Sequence, residues 1–197
     1  HRVDRLLDAD SYVDDIDDER LATALESGFE PSTDPAIIAD CDAYVIAVPT
    51  GMNEQEPDMS AVEAASETVD AQSGSRETLV VVSSTVYPGA TTDVVSPIIR
   101  ANRECPTNLA MVPERINPGG EYEFGDIPLV VGANTDAARD AANALFDQIV
   151  AETHPVRSTD TAELTKTLEN TYRMVNIALM NELVSLSEGL DANIWDA

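Results

Sequence analysis

The feature that most constrains this chain is a regular alternation of short runs of branched apolar residues with segments of helical period. The runs at 43–48 (AYVIAV), 78–83 (TLVVVS), 108–112 (NLAMV) and 129–132 (LVVG) are almost unbroken, and a shorter one lies near 154–157. Strands covered on both faces read this way, whereas half-exposed strands alternate. Between them, 18–26, 59–71, 91–102 and 135–149 carry apolar residues at three- and four-residue spacing, the period of a helix face. Strands alternating with crossover helices predict an α/β domain with a largely parallel sheet. Pro49, the pair Pro88-Gly89 and Pro113 each fall just after a predicted strand, where a proline ends the ladder and starts a loop. The unusual residues therefore collect at the carboxyl ends of the strands, the edge where open α/β sheets bind ligands.

From residue 158 the pattern changes to one long helix, with Thr159 or Asp160 as its predicted N-cap, Glu188 near its end and Gly189 as a C-cap. Leu164, Leu168, Val175, Leu179 and Leu186 form a narrow apolar stripe along it. A helix of roughly 30 residues spans about 45 Å, more than one small domain, which predicts a connector or a subunit contact. The expected division is 1–157 and 158–197.

Of the 197 residues, 43% are hydrophobic, enough for a domain with a real core. Asp and Glu number 37 against 11 Lys and Arg, a formal net charge of −26 spread along the whole chain. Such a field repels nucleic acid and anionic membranes, so neither is an expected partner. Self-repulsion of this size is relieved when salt shortens the Debye length, to roughly 3 Å at 1 M. With Lys166 the only lysine, the composition reads as that of a halophile, haloarchaeal in type. No window approaches the ~18–20 apolar residues of a membrane span, and the opening HRVDRLLDAD is too charged for a signal peptide. The expected location is the cytoplasm. Cys41 and Cys105 have no metal-ligand spacing, as suits a reducing compartment, and no metal is expected.

The nine glycines contain no G-x-G-x-x-G, so the usual pyrophosphate turn of a dinucleotide fold is absent. Either no dinucleotide binds or its first βα unit lies upstream, and an opening that already reads as a helix, HRVDRLL, favours the second. Three strand-end segments stand out: AVPTG (47–51), SSTVYPG (83–89) and VPERINPG (112–119). Singly each is weak, because Ser and Thr before Pro-Gly are ordinary turn residues and Glu114 in so acidic a chain reads first as a solvated carboxylate. Lys166, Asn170 and Arg173 share one face of the long helix. That face reads equally as a polar surface paired to nearby acids or as an anion-binding face, the second because lysine has been removed everywhere else.

Taken in order, RVDRLLDADSYVDDIDDERL, DAYVIAVPTG, SSTVYPG, VPERINPGG, IPLVVGANT and ELTKTLENTYRMVNIALMNEL resemble the UDP-sugar 6-dehydrogenases, and more closely the N-acetylhexosamine branch. The resemblance implies an incomplete Rossmann-type, doubly wound parallel sheet followed by a long central helix that dimerises. It implies NAD as cofactor, a UDP-sugar as substrate, and oxidation of the sugar C6 alcohol to the uronate through two hydride transfers and a cysteine thioester. By this resemblance Glu114 activates water, Thr85 lies near the nicotinamide and that water, Lys166 stabilises the oxyanion at C6, and Asn170 is its hydrogen-bonding neighbour. Val48, Pro49 and Thr50, with Ser84, Thr85 and Val86, match cofactor-contacting loops. Arg115, Ile116, Asn117 and Pro118 would border the sugar, and Arg173 would contact substrate or the other subunit. The glycine-rich turn and the nucleophilic cysteine are expected outside this chain, leaving an inactive internal piece whose sheet lacks its centre. Two other readings remain: a β-hydroxyacid dehydrogenase of similar architecture, and a non-catalytic dimerisation or binding module.

Overall fold

The computed structural model describes residues 2–13, 15–39, 41–54, 56–74, 76–101, 107–115, 124–190 and 193–196. After α1 (Arg2–Leu7) and α2 (Asp18–Glu26), β1 (Ala43–Ile46) opens the sheet. A small hairpin, β2 (Gly51–Asn53) and β3 (Glu56–Asp58), then leads into α3 (Ser60–Gln72). Next come β4 (Thr78–Val82), a π-helical turn at Thr91–Val95 that runs into α4 (Ser96–Arg100), β5 (Thr107–Met111), β6 (Leu129–Ala133), α5 (Asp136–Phe146), β7 (Thr153–Val156) and α6 (Thr159–Gly189). The π turn closes with the Ser96 N–H on the Thr91 carbonyl, immediately before Pro97, which has no N–H to continue an α-helical ladder.

The main sheet has the order β1-β4-β5-β6-β7. β4 lies between β1 and β5, parallel to both, with Val80 opposite Tyr44 and Leu109. Its alternate residues enter different cores. Val80 and Val82 join Tyr44, Ile46 and Met111 against Val62 and Val69 of α3 and Ile99 of α4. Leu79 and Val81 join Ala110, Leu129 and Val131 against Ala138, Ala142 and Phe146 of α5. Helices thus cover both faces, as a doubly wound α/β fold requires, and the five residues of β4 are all buried.

Several expectations are corrected. β6 pairs antiparallel to β5, with Ala110 opposite Ala133, and parallel to β7. Parallel neighbours need a crossover, usually helical, and the only described helix between β5 and β6 is a single 3-10 turn at Phe124–Asp126. The carboxyl edge of the parallel part is therefore made by β1, β4 and β5 alone. The five strands neighbour one another without a break, and β1 stands at an edge of the sheet. β1 is also shorter than the apolar run, and Val45 on it is 51% exposed, while α5 packs mainly over β4, β5, β6 and β7. The long helix starts one residue early, with Ser158 as N-cap accepting the Thr161 N–H at 3.2 Å, and Gly189 is its last residue, with Leu190 as C-cap. The second half of the predicted helix at 91–102 is α4, which ends at Arg100. Cys105 lies outside the described residues. No helix among the described residues is long and apolar enough to cross a membrane.

Candidate active site

Where β1 and β4 end, two loops are laced together by side-chain oxygens. The Ser84 hydroxyl accepts the Val48 N–H at 2.8 Å and donates to the Val48 carbonyl at 2.8 Å, since one hydroxyl both donates and accepts. The Thr50 hydroxyl donates to the Thr85 carbonyl at 2.7 Å. Ser84 and Val86 are buried and Val48 packs against the core, while Pro49 and Thr85 are exposed. Ser84 and Val86 therefore present little surface to a ligand and shape the loop from beneath. Pro49, Thr50 and Thr85 form the ledge that faces outward.

Beyond β5 the chain leaves the core at Pro113, and Glu114 is exposed. Arg115 turns back: its Nε donates to Glu169 Oε2 at 3.0 Å, its Nη2 to Glu169 Oε1, and its Nη1 to the Pro128 carbonyl at 2.9 Å. This two-pronged guanidinium–carboxylate pair is partly buried on both sides and ties the β5 loop to α6.

Glu163, Lys166 and Glu169 follow one another at three-residue intervals on α6 and all point at the strand ends. The Glu163 carboxylate is fully buried and accepts the amides of Gly89 at 2.5 Å and Thr91 at 2.8 Å. The Lys166 side chain is only 13% exposed; its Nζ donates to the Glu114 carbonyl and lies 4.0 Å from Glu114 Oε2. Asn170 is half-buried one turn further on. Arg173 is exposed and, with Arg115, Glu169, Tyr172, Asn176 and Ile177, lines a groove of about 420 Å³. At the start of α6, Asn134 binds Thr92 and Thr159 at 3.2 Å each and accepts the Thr159 amide at 3.2 Å.

The fold thus brings Glu114, Arg115 and Lys166 together across about fifty residues of chain, with Thr85 and Thr50 on the adjoining loop. Ile116, Asn117 and Pro118 lie outside the described residues. Sequence reasoning missed Glu163 and Glu169. In a chain with 37 acids, carboxylates three residues either side of a lysine read as ordinary helix pairs; the available signal was their shared face with Lys166. Chemically, an ammonium held beside a carboxylate at the carboxyl edge of a sheet offers a donor for developing negative charge and a proton acceptor for water.

Residues 1–150 match the NAD binding domain of the UDP-glucose/GDP-mannose dehydrogenase family, and residues 160–197 match the central domain of that family. The chain is 35% identical over 161 residues to the UDP-N-acetyl-D-glucosamine 6-dehydrogenase of Salmonella typhi, covering 78% of this chain and 38% of that protein. Over 186 residues it is 34% identical to the UDP-N-acetyl-D-mannosamine dehydrogenase of Salmonella typhimurium, covering 88% of this chain and 43% of that protein. Among solved structures, the UDP-D-ManNAc dehydrogenase of Pyrococcus horikoshii superposes with a TM-score of 0.89 at 28% identity, over 99% of this chain and 48% of that one. The chain spans less than half the length of each of these relatives.

Proposed function

Because the chain belongs to the UDP-glucose/GDP-mannose dehydrogenase family, we propose that the protein it is part of oxidises the C6 alcohol of a UDP-sugar, an N-acetylhexosamine or glucose, to the uronate with NAD. The observation that carries this is the contact of the only lysine with the Glu114 loop at the end of β5. A fixed ammonium there stabilises negative charge developing on the C6 oxygen, and it is most effective where water is excluded. Its 13% exposure meets that condition. The neighbouring Glu114 carboxylate accepts a proton from attacking water, which requires hydrogen-bond reach, and Asn170 and Thr85 orient the oxygen and that water. Arg115, Ile116, Asn117, Pro118 and Arg173 border the substrate, Arg115 being held in place by Glu169.

NAD, when bound, supplies the hydride acceptor. The residues present fit its nicotinamide side: the outward ledge of Pro49, Thr50 and Thr85 is exposed or half-exposed, with backbone at Val48, Ser84 and Val86 beside it. Cys41 is not assigned the nucleophile's part, since it is partly buried and packed on the core.

Residues 1–157 form the cofactor-binding part of this reading, and 158–197 the connecting helix and the start of the central domain. The apolar side chains of α6, including Leu168 at 64% exposure and Val175 at 61%, support a homodimer through 158–188. The acidic composition supports a cytoplasm of high salt, without nucleic-acid or membrane partners. The test is absorbance at 340 nm with the complete protein in molar salt across a panel of UDP-sugars. Two NADH per sugar is the expected result; no change with any UDP-sugar, or turnover of small β-hydroxyacids instead, overturns the reading.

A further inference from the structure

One side chain that α6 sends to the sheet has no part in the chemistry proposed above. Glu163 is 0% exposed, and a buried carboxylate persists only where charge-assisted hydrogen bonds replace its water. Here they come from the amides of Gly89 and Thr91, at the start of the π-helical turn, where the positive end of the helical dipoles adds to the attraction. The turn that presents these amides depends on Gly89, whose φ of +97° lies in the left-handed region.

The position of this link matters more than its strength. Four residues before Gly89 on the same loop is Thr85, and three residues after Glu163 on the same helix is Lys166. The docking of α6 has other anchors: the Asn134–Thr159–Thr92 cluster, the Arg115–Glu169 pair, and the close approach of Gly132 to Ser158 and Ala162. None of these hydrogen-bonds the 85–91 loop ahead of Thr92, although Val86 and Ala90 of that loop share one apolar core with Ala162. Without Glu163 the helix would still lie on the sheet, but the segment from Thr85 to Thr91 would lose its hydrogen bonds to the turn that carries Lys166.

We infer that Glu163 is a positioning residue that sets the distance between the Thr85 hydroxyl and the Lys166 ammonium. The inference rests on the dehydrogenase reading. Glutamine at 163 has the same shape but turns an NH2 toward one of the two amides, so one bond is lost. Aspartate keeps the charge but falls one methylene short.

The test compares the complete wild-type protein with Glu163→Gln and Glu163→Asp by steady-state kinetics in molar salt, with NAD affinity and thermal midpoint measured beside them. A displacement of order 1 Å at reacting groups costs on the order of 100-fold in rate. The expected result is a fall in kcat of about 30-fold or more, with the KM for UDP-sugar and the Kd for NAD within about threefold of wild type. A purely structural cap would instead lower the thermal midpoint and leave kcat per folded molecule unchanged, and that outcome overturns the inference. Should the Gln variant not fold, Asp reads the same quantity with the buried charge retained. A wild-type protein that forms no NADH would overturn the dehydrogenase reading itself, whereas an active wild type with unaltered kcat in the folded variants overturns only the assignment of Glu163.

Discussion

Replacing Gly132 with alanine places a methyl group 2.5 Å from the Ser158 carbonyl oxygen and 2.6 Å from the Ala162 Cβ. Carbon contacts are comfortable at about 3.5–4.0 Å, so roughly 1 Å of separation has to be found between β6 and α6. Neither obstacle yields easily. Ser158 is the N-cap of α6 and Ala162 belongs to its first turn, while Gly132 is held between Met111 on β5 and Val156 on β7. Overpacking of this kind costs about 1–3 kcal/mol, and a clash with backbone on one side and a helix on the other belongs at the upper end, about 3 kcal/mol. At about 2–4 °C per kcal/mol for a domain of this size, the thermal midpoint should fall by about 6–12 °C. The assay is thermal unfolding in molar salt, set in a cycle with Ala162→Gly and the double variant. Glycine inside a helix itself costs about 1 kcal/mol, and the Ser158 oxygen is still in the way, so the double variant should stay well below wild type. The coupling energy should nonetheless be favourable, of the order of 1 kcal/mol, because one of the two clashes has been removed. A midpoint lowered by less than about 2 °C in Gly132→Ala would refute the reasoning, since it would mean that the sheet and α6 slide apart freely.

Other residues give sharper local tests. Lys166→Ala should lower kcat by about 100- to 1,000-fold, the loss typical of a removed oxyanion donor, and Lys166→Arg should not restore it, because a planar guanidinium does not reproduce a point donor; steady-state kinetics decides. Ser84→Ala leaves the Val48 N–H without its hydroxyl acceptor and should destabilise by about 1–3 kcal/mol, read by denaturant unfolding. The Asp58 carboxyl is held below its ordinary range by the Ser60 hydroxyl and then by the Ser60 backbone N–H. The stability it contributes is therefore complete above the ordinary carboxylate pKa and lost as pH falls through the lowered one. Carboxyl NMR titration should show a lowered midpoint in the wild type that rises in Ser60→Ala, and an unmoved midpoint would remove the hydroxyl as the main cause.

The strands of the sheet were legible because burial on both faces leaves a continuous apolar run, and β4 is the clearest case, with every residue buried. Their ends and directions were not. An apolar run carries no arrow, so the reversal of β6 could be sought only in the connection before it, which lacks a helical period. The run 43–48 overreached because its last N–H goes to the Ser84 side chain, two residues past the ladder. The β2–β3 hairpin is exposed almost throughout, Met52 included, and turns at Glu54, where φ is +57°, so neither a buried face nor a glycine at the turn announced it. Lys166 stood out through its rarity, but a site shared with Glu114 was implied only by the family resemblance, because nothing in the spacing places that helix face against the strand ends. Glu163 stayed hidden for the opposite reason: one carboxylate among many is informative only once its burial is known.

α6 is also a lever. Its 31 residues make a rod of about 47 Å at 1.5 Å per residue, and the described tethers to the strand-end loops and to β6 lie within its first eleven positions. Lys166 sits about 10 Å from the near end, while Gly189 lies about 35 Å beyond it. A tilt that carries the far end through 3 Å moves the lysine by less than 1 Å if the pivot is at the N-cap. Forces applied to the distant apolar half therefore reach the lysine geared down several-fold, and packing at that half need be accurate only to ångströms for the ammonium to be held to tenths of an ångström.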